Sequence, residues 1–125
     1  MFRKLFEQQT NVITVPAGAA IFRKGDRGEV MFGVISGEVD IFISNVILEI
    51  VGPGMVFGEM ALIDDEVRSA SASARTDCRL AQIDSETFEV LAASSPGFAR
   101  QIMKVMARRL RNMNLMVMET SSPTV

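Results

Sequence analysis

Between residues 11 and 84 the chain is cut into short runs of β-branched and aromatic residues, each stopped by glycine, proline or another turn former. The runs at 12–15, 20–23, 30–35, 39–43, 46–51, 69–75 and 78–83 are too short for helices and have the composition of strands. Pro16-Ala17-Gly18, Lys24-Gly25-Asp26-Arg27-Gly28 and Gly52-Pro53-Gly54 punctuate them. Ser36-Gly37-Glu38 reads as a hairpin-type turn, and Ser44-Asn45 as another tight turn. Many short antiparallel strands at this spacing lead to a sandwich, a jelly roll or a barrel.

Helical periodicity flanks this section. Phe2, Leu5 and Phe6 place a short amphipathic helix in residues 1–10. Asp84 or Ser85 is suited to cap a helix running to about residue 93, and Ser95 with Pro96 behind it predicts the start of a longer one, to about residue 118. On that long helix Ala99, Met103, Met106, Leu110, Met113 and Val117 repeat in alternating steps of four and three, an a/d seam. Phe98, Ile102 and Val105 form a neighbouring stripe, so one stripe is available to the strands and the other to a partner chain. The expected organisation is a single domain over residues 1–118, with helices at 1–10 and 85–118, a β-roll at 11–84, and a flexible tail at 119–125.

Composition removes several classes of function. With 125 residues, a net charge of -2, no histidine and one cysteine, the chain offers no His-based metal site and no Ser-His-Asp constellation. Cys78 has no base beside it and reads as a small strand residue, and a single thiol forms no internal disulfide, which suits the cytoplasm. Arg108, Arg109 and Arg111 read as a solvated helix face, not a nucleic-acid footprint. No run approaches the ~18 apolar residues of a membrane span. The expectation is therefore no catalytic residue, no cofactor, no metal, no membrane, and a binding function.

The segment that carries chemistry is Phe57-Gly58-Glu59-Met60-Ala61-Leu62-Ile63-Asp64-Asp65-Glu66-Val67-Arg68-Ser69-Ala70. Gly58 lets backbone approach another group closely. Glu59 stands in an apolar stretch, where an ionised carboxylate is costly without a partner. Met60 to Ile63 reads as one helical turn, whose unpaired N–H groups favour an anion. Arg68 follows an acidic loop tip and precedes small residues; its forked donors match phosphate oxygens. Asp64, Asp65 and Glu66 lack the glycine hinge of a calcium loop.

This segment closely resembles the phosphate-binding cassette of the cyclic nucleotide-binding domain family, which includes catabolite activator proteins, regulatory subunits of cAMP-dependent protein kinase and cyclic nucleotide-gated channels. The family pattern is F-G-E-[LM]-A-L, five variable residues, then R-[AST]-A, and every fixed position is filled here, with Val67 where a proline is common. Residues 16–26, 34–39 and 52–54 resemble further family elements, so the likeness covers about residues 10–118. The resemblance implies an antiparallel β-jelly-roll (double-stranded β-helix) barrel with C-terminal helices. It implies that Glu59 accepts from a ribose 2′-OH and Arg68 pairs with a cyclic phosphate. Ala61 and Ser69 would donate backbone N–H groups to phosphate oxygens, and Gly58 would lie near the ribose. Met60 and Ala70 complete the ligand-binding segment. On the long helix Met106, Arg109, Leu110 and Met113 are implied as a lid over the base. The ligand implied is cAMP, with cGMP as the alternative because Ser69 keeps a hydroxyl.

In the family the transcription factors append a helix-turn-helix domain, whereas this chain ends a few residues past the long helix. The expectation is thus a cyclic nucleotide sensor or regulatory module with no DNA-binding domain visible, and a weak homodimer through the C-terminal helix. The competing expectation is a ligand-free dimerisation or protein-interaction domain on the same fold, with Glu59 and Arg68 as a structural ion pair.

Overall fold

Among the described residues eight strands and four helices form: α1 (Arg3–Glu7), β1 (Val12–Val15), β2 (Ala20–Phe22), β3 (Val30–Ser36), β4 (Val39–Ile43), β5 (Val46–Val51), β6 (Val56–Phe57), α2 (Met60–Asp64), β7 (Ser71–Ala74), β8 (Cys78–Asp84), α3 (Ser85–Ser94) and α4 (Phe98–Ser121). The computed structural model describes residues 2–64 and 66–121, and for Met113 and residues 116–121 the backbone alone. The strands lie in two four-stranded antiparallel sheets, ordered β1-β8-β3-β6 and β2-β7-β4-β5. With the flanking helices they make the mainly β jelly-roll architecture expected from the sequence.

The core fills the space between the sheets. Phe32, Val34, Phe57, Cys78 and Leu80 face inward from the first sheet, and Val39, Val51, Ala72 and Ala74 from the second. Strand β7 shows the period-two logic plainly: Ala72 and Ala74 are buried while Ser71 and Ser73 are half-buried. Strand β3 does not alternate; residues 31 to 35 are buried without a break. The reason is α1, which packs on β3 and β8. Its Phe6 is fully buried, and a Cβ at Gly33 would strike the Phe6 ring. Burying such a ring is worth roughly 1.5–3 kcal/mol, so the short N-terminal helix is held by one aromatic side chain seated on a glycine.

Three local readings differ from the sequence expectation. Ser36-Gly37-Glu38 is not a hairpin turn, because β3 and β4 belong to different sheets. The chain crosses over there, and Glu38 bonds instead to the turn before β8: its N–H donates to Thr76 Oγ1 at 3.0 Å, and its carbonyl accepts from Arg75 N–H at 2.8 Å. A glycine-centred turn fixes a change of direction but not the sheet in which the next strand pairs. Ser44-Asn45 does close a true hairpin, with Ile43 opposite Val46. Strand β6 was not anticipated; two residues are too few to show a period, and only pairing with β3 reveals it.

The third difference lies before the long helix. Ser95 does not cap it. Ser95 N–H closes α3 on the Leu91 carbonyl at 2.9 Å, and Phe98 N–H reaches the Ser95 carbonyl at 3.0 Å. Gly97 has φ +93°. Proline followed by a glycine at positive φ, under an i to i+3 hydrogen bond, is a type II turn, so α4 starts at Phe98 and not at Pro96.

By its packing the chain divides into two units, Met1–Glu89 and Val90–Val125. In the second, Leu91, Phe98 and Ile102 are buried, while Met103 and Leu110 on the a/d seam are 58% and 61% exposed. Residues 122–125 of the expected tail lie outside the described residues. No helix among the described residues is long and apolar enough to cross a membrane.

Asp84 caps α3: its Oδ1 accepts from Thr87 N–H at 2.8 Å. That bond, aided by the Thr87 side chain, holds the Asp84 carboxyl below its ordinary value. A depressed folded-state pKa adds stability that is present above the unfolded value of ~3.9 and is lost as pH falls through the folded value. Asp84→Asn keeps an acceptor without the charge. Its melting temperature should lie below the parent's at pH 7, and the gap should close as the pH is taken below about 3.9; a gap that stays constant with pH refutes the charged cap.

Candidate functional site

Strand β6 delivers the chain to the site. Phe57 pairs with Phe32 on β3 and points into the core. Gly58 then takes φ +75°, a conformation that favours glycine, and turns the backbone into α2. Leu62 N–H bonds the Glu59 carbonyl at 3.1 Å as that helix starts. Glu59 is buried, with 1% of its surface exposed, and so is Ala61. Met60 points out and is half exposed. The loop beyond is a solvent-facing tip at Asp64 and Glu66, where Glu66 N–H bonds Asp64 Oδ1 at 3.1 Å; Asp65 lies outside the described residues.

Arg68 brings the chain back inside. Its backbone is stapled to the loop between β2 and β3: Arg68 N–H donates to the Asp26 carbonyl, and Gly25 N–H to the Arg68 carbonyl, each at 2.8 Å. Next along, Lys24 N–H reaches Ser71 Oγ at 2.9 Å. The side chain is 5% exposed. Its Nη1 donates to the Gly58 carbonyl at 2.8 Å and its Nη2 to the Val30 carbonyl at 2.6 Å. The guanidinium carbon stands 4.2 Å from the Phe22 ring centre. Gly28 is close enough that a Cβ there would run into Cζ and Nε.

Burial pushes the Arg68 guanidinium below its ordinary pKa, and the charges of Asp26 and Glu59 act in the opposite direction. Arginine remains protonated under such pressure, so the site holds a cation largely removed from water. Two of its nitrogens are satisfied by carbonyls. The third, Nε, is buried without a hydrogen-bond partner. An unmet buried donor costs about 1–3 kcal/mol, and an anionic oxygen delivered to Nε would remove that cost. The arrangement is a buried cation with one unmatched donor, beside a buried carboxylate.

The segment from Gly58 to Ala70 is thus brought together with Glu59, Ala61 and Arg68 inside, while Ser69 is exposed and Ala70 half-buried. The expected lid residues belong to the second unit, on α4: Met106 and Arg109 are half-buried, Leu110 is exposed, and the Met113 side chain lies outside the described residues. Cys78 is buried in β8, and burial raises its thiol pKa, as a structural residue requires. Among the described residues no group of three or more histidine, cysteine, aspartate or glutamate side chains is placed to hold a metal. Sequence reasoning missed the surroundings of Arg68, namely Phe22, Asp26, Gly28 and the Val30 carbonyl. Phe22 reads as a strand residue and Gly28 as a turn residue, and no spacing links either to position 68.

The cyclic nucleotide-binding domain family matches residues 12–95, and the chain belongs to that family. A cyclic nucleotide-gated potassium channel of Mesorhizobium japonicum is 45% identical over 77% of this chain and 26% of its own length. The cyclic AMP receptor protein of Thermus thermophilus is 38% identical over 80% of this chain and 49% of its own. Among solved structures, the Thermus thermophilus catabolite activator protein superposes with a TM-score of 0.82 at 34% identity, covering 94% of this chain and 58% of that one. The chain therefore spans about a quarter of the channel and about half of the receptor.

Arg68→Ala leaves the Gly58 and Val30 carbonyls without their charged donor. Hydrogen bonds to charged groups are worth about 1.5–3 kcal/mol each when measured by removal, and relief of the buried charge offsets part of that loss. The variant should lose about 2 kcal/mol of unfolding free energy, read as a lower urea midpoint at unchanged m-value. A parental midpoint would show that the two carbonyl bonds contribute nothing net.

Proposed function

We propose that this chain is a cyclic nucleotide sensor module that binds cAMP and has no catalysis of its own. The observation that carries the reading is Arg68: a buried cation whose Nε lacks a partner, at the position where the family's cassette has its phosphate-binding arginine. In this reading the cyclic phosphate takes Arg68, and the backbone N–H groups of Ala61 and Ser69 add to it. Buried Glu59 accepts the ribose 2′-OH, with Gly58 alongside. Met106, Arg109, Leu110 and Met113 cover the base. The named ligand of the Thermus receptor favours cAMP over cGMP. A single thiol, Cys78, which can form no internal disulfide, suits the cytoplasm.

Calorimetry with cAMP and cGMP tests the reading. A ligand that binds the folded state alone raises the melting temperature, so cAMP should do so, and more than cGMP at equal concentration. Arg68→Ala should weaken cAMP by about a hundredfold or more, since removing one partner of a desolvated charge pair costs about 2–5 kcal/mol. 2′-deoxy-cAMP should bind clearly more weakly than cAMP, with the gap largely gone in Glu59→Ala, because a site built to bond a hydroxyl penalises its absence. A parent that binds neither nucleotide removes the proposal.

A second reading draws on the exposed seam. Met103 and Leu110 are open apolar side chains on α4, and methionine-rich seams adapt but specify poorly. A weak homodimer through this helix would be concentration-dependent and coupled to ligand reciprocally. Sedimentation of the parent and of Leu110→Asp, with and without cAMP, decides it: association abolished by Leu110→Asp supports the seam, and a parent monomeric throughout removes it.

A further inference from the structure

The position of the Arg68 guanidinium has a cause outside the cassette. Phe22 closes β2, and its ring lies under the cation, 4.2 Å from centroid to Cζ. That ring is itself braced. Its centroid is 6.0 Å from those of Phe32 and Phe57, which stack on each other at 5.0 Å with 13° between their planes. Phe32 and Phe57 are buried and sit on paired strands, β3 and β6. The platform is therefore rigid, while an arginine side chain is long and flexible. On the cation's other contacts, the Gly58 and Val30 carbonyls take Nη1 and Nη2, and Gly28 leaves room that any side chain would fill.

We infer that Phe22 is a positioning residue for the anion-binding cation, holding the Arg68 guanidinium over a braced aromatic face and close against Gly28 so that Nε is the donor kept for the ligand. The carbonyls alone do not impose this. They satisfy two terminal nitrogens but leave the plane free to tilt about the line between them. The ring removes that freedom, and a cation set over an aromatic face gains more when water is excluded. An ordered guanidinium loses less entropy when it meets a phosphate, which is how a residue that never touches the ligand raises affinity.

The inference rests on the phosphate role assigned to Arg68, and two measurements keep the two apart. In the unliganded protein the Arg68 Nε–H proton, identified by its loss in Arg68→Lys, should resonate upfield through the Phe22 ring current. It should return to the position of a free arginine in Phe22→Leu and remain upfield in Phe22→Tyr. By calorimetry cAMP should bind Phe22→Leu roughly 5- to 30-fold more weakly than the parent, with Phe22→Tyr near the parent. In an Arg68→Gln background the Phe22→Leu change should have no further effect on binding. Phe22→Met, which keeps apolar bulk without a ring, answers the same question if Phe22→Leu melts early. An unchanged resonance in the ringless variants, or the same affinity loss in both backgrounds, overturns the inference. If the parent binds neither cAMP nor cGMP, the phosphate role falls, and the resonance alone decides whether Phe22 holds the guanidinium.

Discussion

A guanidinium inside a small β domain organises the first unit of this chain. Arg68 ties its own loop to the stretch from β2 to β3, some 40 positions earlier, and to the entry to α2: it holds the loop at 23–28 through its backbone, β2 through the Phe22 ring, β3 through the Val30 carbonyl, and the start of α2 through the Gly58 carbonyl. A buried charge is tolerated only where its desolvation is offset by close partners. Two carbonyls, an aromatic face and the charges of Asp26 and Glu59 supply that offset. The offset is incomplete at Nε, which is buried without a hydrogen-bond partner.

The rest of the unit can be read as scaffolding for that position. Small side chains stand where the cation needs space: Gly28 and Gly58 against the guanidinium, and Ala61 beside Gly28. Large ones stand where rigidity is needed. Phe32 and Phe57 stack across β3 and β6, so the short strand β6 is anchored by a ring as well as by its ladder bonds. On the far side of β3, Phe6 covers Gly33, which lets one strand be buried on both faces. Side chains locked by packing fix the positions of the groups they touch, and the Phe22, Phe32 and Phe57 rings pack on one another in this way beneath the guanidinium.

Membership in the cyclic nucleotide-binding domain family agrees with this architecture, and the relatives show how differently such a domain is used. One is a potassium channel and another a receptor protein, each longer than the stretch matched here. The shared element is the binding fold, and what it regulates depends on what surrounds it. On α4 the apolar side chains of Met103 and Leu110 are exposed to water.

Much of this was legible in the sequence, and for identifiable reasons. Strand runs separated by glycine show themselves because turns need particular residues and strands need particular shapes. The cassette was legible because Gly58, Glu59, Arg68 and Ser69 lie close together in the chain, and local spacing survives without knowledge of the fold. The two-residue strand β6, the crossover at Gly37 and the type II turn at Gly97 were not, since each depends on which partner a hydrogen bond finds. What the sequence by itself determined is seven of the eight strands, the residue types brought close together in 57–70 and the absence of histidine. Only the tertiary structure decided that Phe22, Gly28 and Val30 surround Arg68 and that Nε is left unmatched. Those contacts join residues some 40 positions apart, and long-range pairing is settled by the packing of two whole sheets, which no local pattern encodes.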